Sequence, residues 1–281
     1  MTSTQVSVRG AAIRTAALAV ALGLAACQSG GSPSSLDTVP ADPSAGSEAN
    51  IGSLTAVIQR NPQDAGAYNV RGTAFGQAGR LEEAVADFTT AIQLNPQFHQ
   101  AYANRALVYR RLQRNQQALN DYNQALQLNP SYAPAYLGRG TLYRQAGQPQ
   151  VALEDFNSAI RLNTSDPFGY YNRGLIYQAQ GDHVRAIADF DVAIALNPNA
   201  SEPYYSRGNS RLAIGSDNDA LTDFAAAVNR NKNSAPFWTG LGIAQIRTGD
   251  VSSGRNSITR ATVLDPSYQP AREALRTTPV S

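Results

Sequence analysis

The sequence predicts an all-α fold: an α-solenoid of six 34-residue helical hairpins with a capping helix at each end. Two apolar stripes with helical spacing occur in every unit, which predicts two amphipathic helices per unit. An Asn or Asp also recurs every 34 residues, in five of seven cases directly before Pro. A fixed period of this length is typical of solenoids. The recurring residues are Asn61, Asn95, Asn129, Asn163, Asn197, Asn231 and Asp265.

The two stripes are in register when Ala65 is taken as position 1 of the first unit. The first stripe has an aromatic residue at position 4, from Tyr68 to Trp238, and a small residue at position 8. The second has a small residue at position 20, mostly aromatic residues at position 24 and Ala at position 27. Small residues that face each other let two antiparallel helices approach closely. Each unit is therefore predicted to be a helical hairpin, with Gly in its turn and Asn-Pro ending its second helix.

The two ends of the array depart from the pattern. Residues 51–60 carry apolar side chains at second-helix positions of an earlier unit, which predicts an N-terminal capping helix before the six units in residues 61–264. Residues 265–281 are predicted to form a C-terminal capping helix and tail, with Arg272 in place of the aromatic residue at position 4. Position 11 holds Arg211 and Gln245 in the last two units, which indicates weaker packing or a surface covered by a partner.

The pattern closely resembles the tetratricopeptide repeat (TPR), with its aromatic residues at 4, 11 and 24, small residue at 8, Ala at 20 and 27, and Pro at 32. The resemblance covers residues 61–264 without an insertion. It implies a right-handed solenoid in which the first helices line a concave, protein-binding face.

Arginine and aspartate recur together on the two helices of each unit. The first five units have Arg at position 7 and Asp at position 23, whereas the sixth has Leu241 and Ser257. If the pairs form within a unit, every Arg and every Asp has a partner. If each Asp instead paired with the Arg of the next unit, Arg71 would face the uncharged Ser53. We predict five structural salt bridges; the alternative is a row of ligand-binding arginines. The pairs are Arg71 with Asp87, Arg105 with Asp121, Arg139 with Asp155, Arg173 with Asp189 and Arg207 with Asp223.

The N-terminal segment is typical of an exported lipoprotein. Residues 1–26 combine two arginines with an apolar run and are predicted to be a signal peptide. "LAAC" resembles a bacterial lipobox, which implies a lipid on Cys27; an ordinary signal with an incidental Cys27 is the alternative. Residues 27–50 are rich in Gly, Ser and Pro and predict a flexible tether. Because Gln28 follows Cys27, the sorting rule of that family implies a periplasm-facing location on the outer membrane.

Charge and composition argue against several classes of function. Two of the 23 basic residues lie in residues 1–26, so the remainder has 21 basic and 21 acidic residues and no field to attract nucleic acid. The only imidazoles, His99 and His183, are in different units, and lipidation would consume the one Cys. We therefore expect no enzymatic activity, no metal site and no cofactor other than the lipid.

The TPR resemblance assigns positions 2, 5, 9, 12 and 13 to the concave face. These positions combine apolar side chains with a basic shoulder, which suits an acidic or amphipathic peptide. The alternative is that aromatic residues at position 5 only pack against the next unit. The predicted groove residues are Leu107, Arg110, Arg111, Leu137, Thr141, Arg144, Phe168, Tyr171, Leu175, Tyr205, Asn209 and Leu212.

The whole architecture resembles outer-membrane TPR lipoproteins of the NlpI and pilotin kinds. This resemblance implies a non-enzymatic adaptor that holds protein or peptide partners in the periplasm, such as cell-wall hydrolases or a protease. The alternatives are an assembly lipoprotein for a pilus or secretion-channel subunit, and a self-associating structural protein, for which a homodimer is possible.

Overall fold

The computed structural model describes residues 44–278, and all fourteen helices in that range are α-helices with no strand among them. The predicted all-α solenoid is confirmed. The predicted signal peptide, Cys27 and most of the predicted tether lie outside the described residues. The helices are α1 (Glu48–Arg60), α2 (Ala65–Gln77), α3 (Leu81–Leu94), α4 (His99–Arg111), α5 (Asn115–Leu128), α6 (Ala133–Gln145), α7 (Pro149–Leu162), α8 (Pro167–Ala179), α9 (His183–Leu196), α10 (Glu202–Ala213), α11 (Asp217–Arg230), α12 (Ala235–Arg247), α13 (Val251–Leu264) and α14 (Gln269–Thr277).

Helices α2 to α13 form the six hairpins, each with a first and a second helix. In every unit the first helix packs against its own second helix, and the second helix packs against the first helix of the next unit. The first helices of neighbouring units also contact each other from α2 to α12. This continuous wall of first helices is the surface on which a concave groove can form.

Aromatic rings at position 24 fill the space that the small residues at position 8 leave between the two helices. Phe190 is fully buried, and a Cβ built on Gly174 would lie 2.7 Å from its ring carbon Cε1. Phe156 has the same relation to Gly140, with a corresponding distance of 3.0 Å. Burying a phenylalanine side chain contributes about 2 to 3 kcal/mol to folding. The close packing thus requires a small residue at position 8, which is Gly in five units and the buried Ala106 in the second.

Each hairpin turn places position 15 in the left-handed region of backbone conformation. Five units have Gly there, with φ between 72° at Gly147 and 99° at Gly249. The second unit has Gln113 with φ 60°. The backbone N–H of position 16 then donates to the carbonyl of position 11, as Arg114 does to Tyr109 at 2.8 Å, which completes the C-terminal cap of the first helix.

Replacing Gln113 with Gly is expected to raise the free energy of unfolding by about 0.5 kcal/mol. A left-handed residue with a side chain costs about 1 kcal/mol, and the greater freedom of glycine in the unfolded chain offsets part of the gain. Urea denaturation followed by circular dichroism measures the change. The reverse substitution in the next unit, Gly147→Gln, is the control and should destabilise the protein; equal effects of the two changes would contradict the explanation.

The recurring Asn or Asp at position 31 ends each second helix by accepting a hydrogen bond from the backbone. The side-chain oxygen of Asn129 accepts from the N–H of Ser131 at 3.0 Å, and that of Asp265 accepts from Ser267 at 2.8 Å. Both residue types provide an acceptor oxygen at the same distance from the main chain, so either can form this turn. The 34-residue period therefore marks the exit from each second helix.

The capping helices differ from their predicted limits. The N-terminal cap begins at Glu48 rather than at residue 51, because Ser47 caps it by accepting from the N–H of Asn50 at 3.3 Å. The C-terminal helix covers only Gln269–Thr277 of the predicted 265–281 segment. In the described range, 44–278, no helix has the length and apolar character needed to span a bilayer.

Candidate protein-binding groove

The structure pairs each arginine at position 7 with the aspartate at position 23 of the same unit. Arg173 Nε donates to Asp189 Oδ2 and its Nη2 donates to Asp189 Oδ1, both at 2.8 Å. The other four pairs have the same relation between helices, and all five aspartates are buried. The hydrogen bond to Asp189 raises the pKa of Arg173 against the opposing effect of burial. These arginines are engaged inside the hairpins and do not present their charge to a ligand.

The remaining terminal nitrogen of each arginine reaches the preceding unit. Arg173 Nη1 donates to Asn157 Oδ1 at 2.7 Å, sixteen residues earlier in the chain. The equivalent acceptor, at position 25 of the preceding helix pair, is Thr for Arg71 and Arg105, Asn for Arg139 and Asp191 for Arg207. Each arginine thus joins three helices, the third from the preceding unit or, for Arg71, from the N-terminal cap; the 34-residue pattern alone did not predict this contact.

The unusual residues at position 11 point into the fold. Arg211 Nη1 donates to the buried carboxylate of Asp223 at 2.8 Å, so this aspartate has two arginine partners. In the sixth unit, where the charged pair is absent, Gln245 Oε1 accepts from Ser257 Oγ at 2.7 Å. Both residues have intramolecular partners at position 23, so their departure from the aromatic pattern is a structural substitution.

The exposed part of the predicted groove lies on α4 and α8. Leu107 is 39% exposed, and Phe168 and Leu175 are half-buried. Tyr171 is also half-buried, with its ring centroid 6.0 Å from that of Phe190. Arg111 is exposed at the edge, where its Nη1 donates to the carbonyl of Gly76 at 2.6 Å. These side chains place accessible apolar surface on α4 and on α8, with a basic residue at the edge of α4.

Three predicted groove residues are buried instead, which corrects their assignment. Leu137 packs in a core cluster with Phe156 and Ile176, and Leu212 packs in a cluster shared by the fifth and sixth units. Thr141 is only 3% exposed, and its hydroxyl donates to the carbonyl of Leu137 at 2.8 Å. These positions belong to the packing between units rather than to an accessible surface.

Tyr205 has a mainly structural role at the C-terminal end of the concave face. Its ring centroid lies 5.0 Å from that of Phe237 and 5.7 Å from that of Phe224. Burial raises the pKa of Tyr205, and the interactions of its hydroxyl with Asn209 and with Tyr268, which precedes α14, oppose that rise. The accessible groove is therefore concentrated in units two to four.

The concave positions have a basic balance. Positions 2, 5, 9, 12 and 13 of the six units hold four arginines and one acid. Arg144 Nε donates to Asn172 Oδ1 at 3.2 Å across the boundary between units three and four, which fixes its side chain while leaving it partly exposed. An acidic segment in the groove would be favoured by this charge, although exposed ion pairs each contribute only about 1 kcal/mol or less. The charged residues are Arg110, Arg111, Arg144, Arg247 and Glu202.

The two histidines lie in different units, His99 at the start of α4 and His183 at the start of α9. His99 Nε2 lies 3.0 Å from the side-chain nitrogen of Asn129, and its ring meets Tyr132 edge-on at 4.8 Å. Burial lowers the pKa of His99, which favours the neutral ring, and an unprotonated Nε2 accepts from the Asn129 amide. Within residues 44–278, no three His, Cys, Asp or Glu side chains are grouped to hold a metal ion.

Family models match three stretches of the chain. Models described as "Tetratricopeptide repeat" match residues 99–132 and 137–201, and a model described as "TPR repeat" matches residues 72–113. These stretches begin in α2 and end at residue 201, before α10, so they lie in the first four hairpins. No curated protein sequence matches the chain.

Solved structures show a similar solenoid at low sequence identity. A chain of the APC/C hetero-tetramer Cut9–Hcn1 is 18% identical, with a TM-score of 0.73. The match covers 84% of this chain and 47% of the Cut9–Hcn1 chain, so this chain spans about half the length of that one. PilF of Pseudomonas aeruginosa is 17% identical with a TM-score of 0.71, covering 78% and 99% of the two chains. PilW, a type IV pilus biogenesis factor, is 18% identical with a TM-score of 0.67, covering 75% and 98%.

Proposed function

The chain belongs to the tetratricopeptide repeat family, whose scaffolds mediate protein–protein interaction, and on that premise we propose that it is a non-enzymatic adaptor that binds a protein segment in its concave groove. The observation that carries the proposal is the accessible apolar surface of Leu107 on α4 and of Tyr171 and Leu175 on α8, with Arg111 exposed at the edge of α4. Apolar strips that remain accessible on a rigid scaffold are characteristic of interaction sites. The bound segment is acidic and partly apolar.

We further propose that a lipid on Cys27 anchors this adaptor to the outer membrane, facing the periplasm. The support is the sequence of the N-terminal segment: two arginines, an apolar run and the single Cys at the end of "LAAC". Several acyl chains on one residue would give firm anchoring. The partners would then be envelope proteins, such as cell-wall hydrolases or a protease, held close to the membrane.

A role in pilus assembly is the second candidate. It is favoured by the similarity of the solenoid to PilW, described as a type IV pilus biogenesis factor, and to PilF. In that case the groove would bind a pilus or secretion-channel subunit rather than a wall hydrolase. The same basic and apolar surface would serve either partner, so the identity of the captured protein distinguishes the two.

Crosslinking in intact membranes, followed by mass spectrometry, tests the proposed groove. We compare the wild type with a Leu107→Asp, Tyr171→Ala variant, which removes two apolar contacts and adds a negative charge to the basic face. Tyr205 is left unchanged because its ring packs between Phe224 and Phe237. Val184→Asp is the control, since Val184 is 73% exposed at the start of a second helix.

The expected result is at least a tenfold loss of the captured envelope protein in the groove variant and none in the control, with circular dichroism unchanged in both. A hydrolase or protease would support the first candidate, and a pilus or channel subunit the second. Equal capture by all three proteins would overturn the groove assignment. Capture of only further copies of the chain would instead indicate the self-associating alternative.

A further inference from the structure

The concave face has an open mouth at its N-terminal end. Helix α1 takes the place of a second helix, and the described chain has no first helix before it. Val70, at position 6 of α2, is consequently 51% exposed, whereas the equivalent Asn172 is buried against Arg144 of the preceding unit. A cavity of about 220 Å³ occupies this mouth. Its lining residues are Ala45, Asn50, Val70, Thr73, Ala74 and Gln77.

The chain enters the folded region at this mouth. Asn50 Nδ2 donates to the carbonyl of Ala45 at 2.5 Å, which holds the segment before α1 in a turn. Gly46 lies so close to the end of α2 that a Cβ would be 2.9 Å from the backbone nitrogen of Ala78. The described chain therefore begins beside the C-terminal end of α2, where the carbonyl of Gly76 accepts from Arg111 of the neighbouring helix.

The sequence immediately before Ser44 has the composition that the groove favours. Residues 28–43 contain two acids, Asp37 and Asp42, and no basic residue. Leu36 and Val39 are the apolar side chains between the serines and prolines of this segment. An acidic segment with two apolar residues complements an apolar strip that has a basic edge.

The length of chain is sufficient for this contact. Leu36 is eight residues before Ser44, and an extended chain of eight residues spans about 26 Å. First helices of adjacent units are about 8 to 10 Å apart, so α4 with Leu107 and Arg111 is within reach. Proline at residues 40 and 43 favours the extended conformation that such a path needs.

We propose that residues 36–42 bind in the concave groove of their own chain, from Val70 to Leu107, and compete with the protein partner for that surface. This inference rests on the proposed function, since it assigns a regulation to the same groove. The contact can be weak and still be populated, because a short tether gives an effective concentration of about 1 mM. A protein partner with higher affinity would displace the segment and release it as a longer membrane tether.

The test is site-specific photo-crosslinking of the full chain in membranes. The photoreactive residue p-benzoylphenylalanine replaces Leu107 in the groove or, as the matched control, Val184 outside it. After irradiation, digestion and mass spectrometry, crosslinks within one chain are assigned to peptides. The groove probe is expected to crosslink to residues 36–42, and the Val184 probe is not.

Charge dependence is tested with Asp37→Asn, Asp42→Asn and with the charge-conserving pair Asp37→Glu, Asp42→Glu. The first variant is expected to reduce the intrachain crosslink about threefold and the second to leave it unchanged, and 0.5 M salt should act like the first. The absence of an intrachain crosslink, or a crosslink to another copy of the chain, would overturn the inference. If the groove probe captures an envelope protein under those conditions, the proposed adaptor function still holds.

Discussion

Replacing Asp189 with Ala is expected to lower the free energy of unfolding by about 3 kcal/mol. The substitution leaves the guanidinium of Arg173 without the carboxylate that accepts two of its hydrogen bonds at 2.8 Å. Breaking a buried pair by removing one partner typically costs about 3 to 5 kcal/mol, and the partial exposure of Arg173 places this case near the lower limit. Urea denaturation followed by circular dichroism measures the loss.

The sixth unit provides the matched control for this prediction. There Leu241, Ser257 and Ala225 occupy the positions of the arginine, its aspartate and the acceptor from the preceding unit. Leu241 is buried in the apolar cluster of that region, so the fold accepts an uncharged version of the contact.

The triple variant Arg173→Leu, Asp189→Ser, Asn157→Ala gives the fourth unit the uncharged residues of the sixth. It should lower the free energy of unfolding by no more than about 1 kcal/mol, because no charge is left without a partner. If the triple variant is as unstable as Asp189→Ala, the cost arises from lost attraction between the charges. If both variants are as stable as the wild type, the salt bridges do not stabilise the hairpins.

The hairpins and their charged pairs could be predicted because each depends on residues that keep one spacing and one chemical type. The third partner of each arginine could not, since position 25 holds Thr, Asn or Asp and belongs to the preceding unit. Only the packed structure shows that these different side chains all offer an oxygen to the same nitrogen.

The groove was predicted less well, because periodicity assigns a residue to a face but does not determine its burial. Leu137 is buried although position 5 lies on the concave side. Gly169 in the next unit has no side chain, and a Cβ there would come within 3.4 Å of Leu137 Cδ2. The leucine fills this space, whereas Leu107 at position 9 remains exposed. Burial thus depends on the size of neighbours that are 30 or so residues away in the chain.

Replacing Gly254 with Ala, which restores the residue found at position 20 of the other five units, is expected to destabilise the protein by about 2 kcal/mol. The sixth unit alone has Gly at both position 8 and position 20. A Cβ on Gly254 would lie 2.5 Å from Ile246 Cγ1 and 2.7 Å from the carbonyl oxygen of Gly242. The backbone oxygen can yield only if the helices separate, and overpacking of this kind costs about 1 to 3 kcal/mol.

Helix propensity works against this effect, so the sign of the result is informative. Alanine gains about 1 kcal/mol over glycine inside a helix. Gly52→Ala in α1 measures that gain alone, because a Cβ there meets no atom within 4 Å, and it should stabilise the protein. If Gly254→Ala stabilised the protein as much as Gly52→Ala, α12 and α13 would have room to separate at no cost, and the double glycine would not be a packing requirement. Destabilisation by Gly254→Ala alone would show that the sixth hairpin is held at a shorter distance than its neighbours because position 20 lacks the methyl group that the other five units have there.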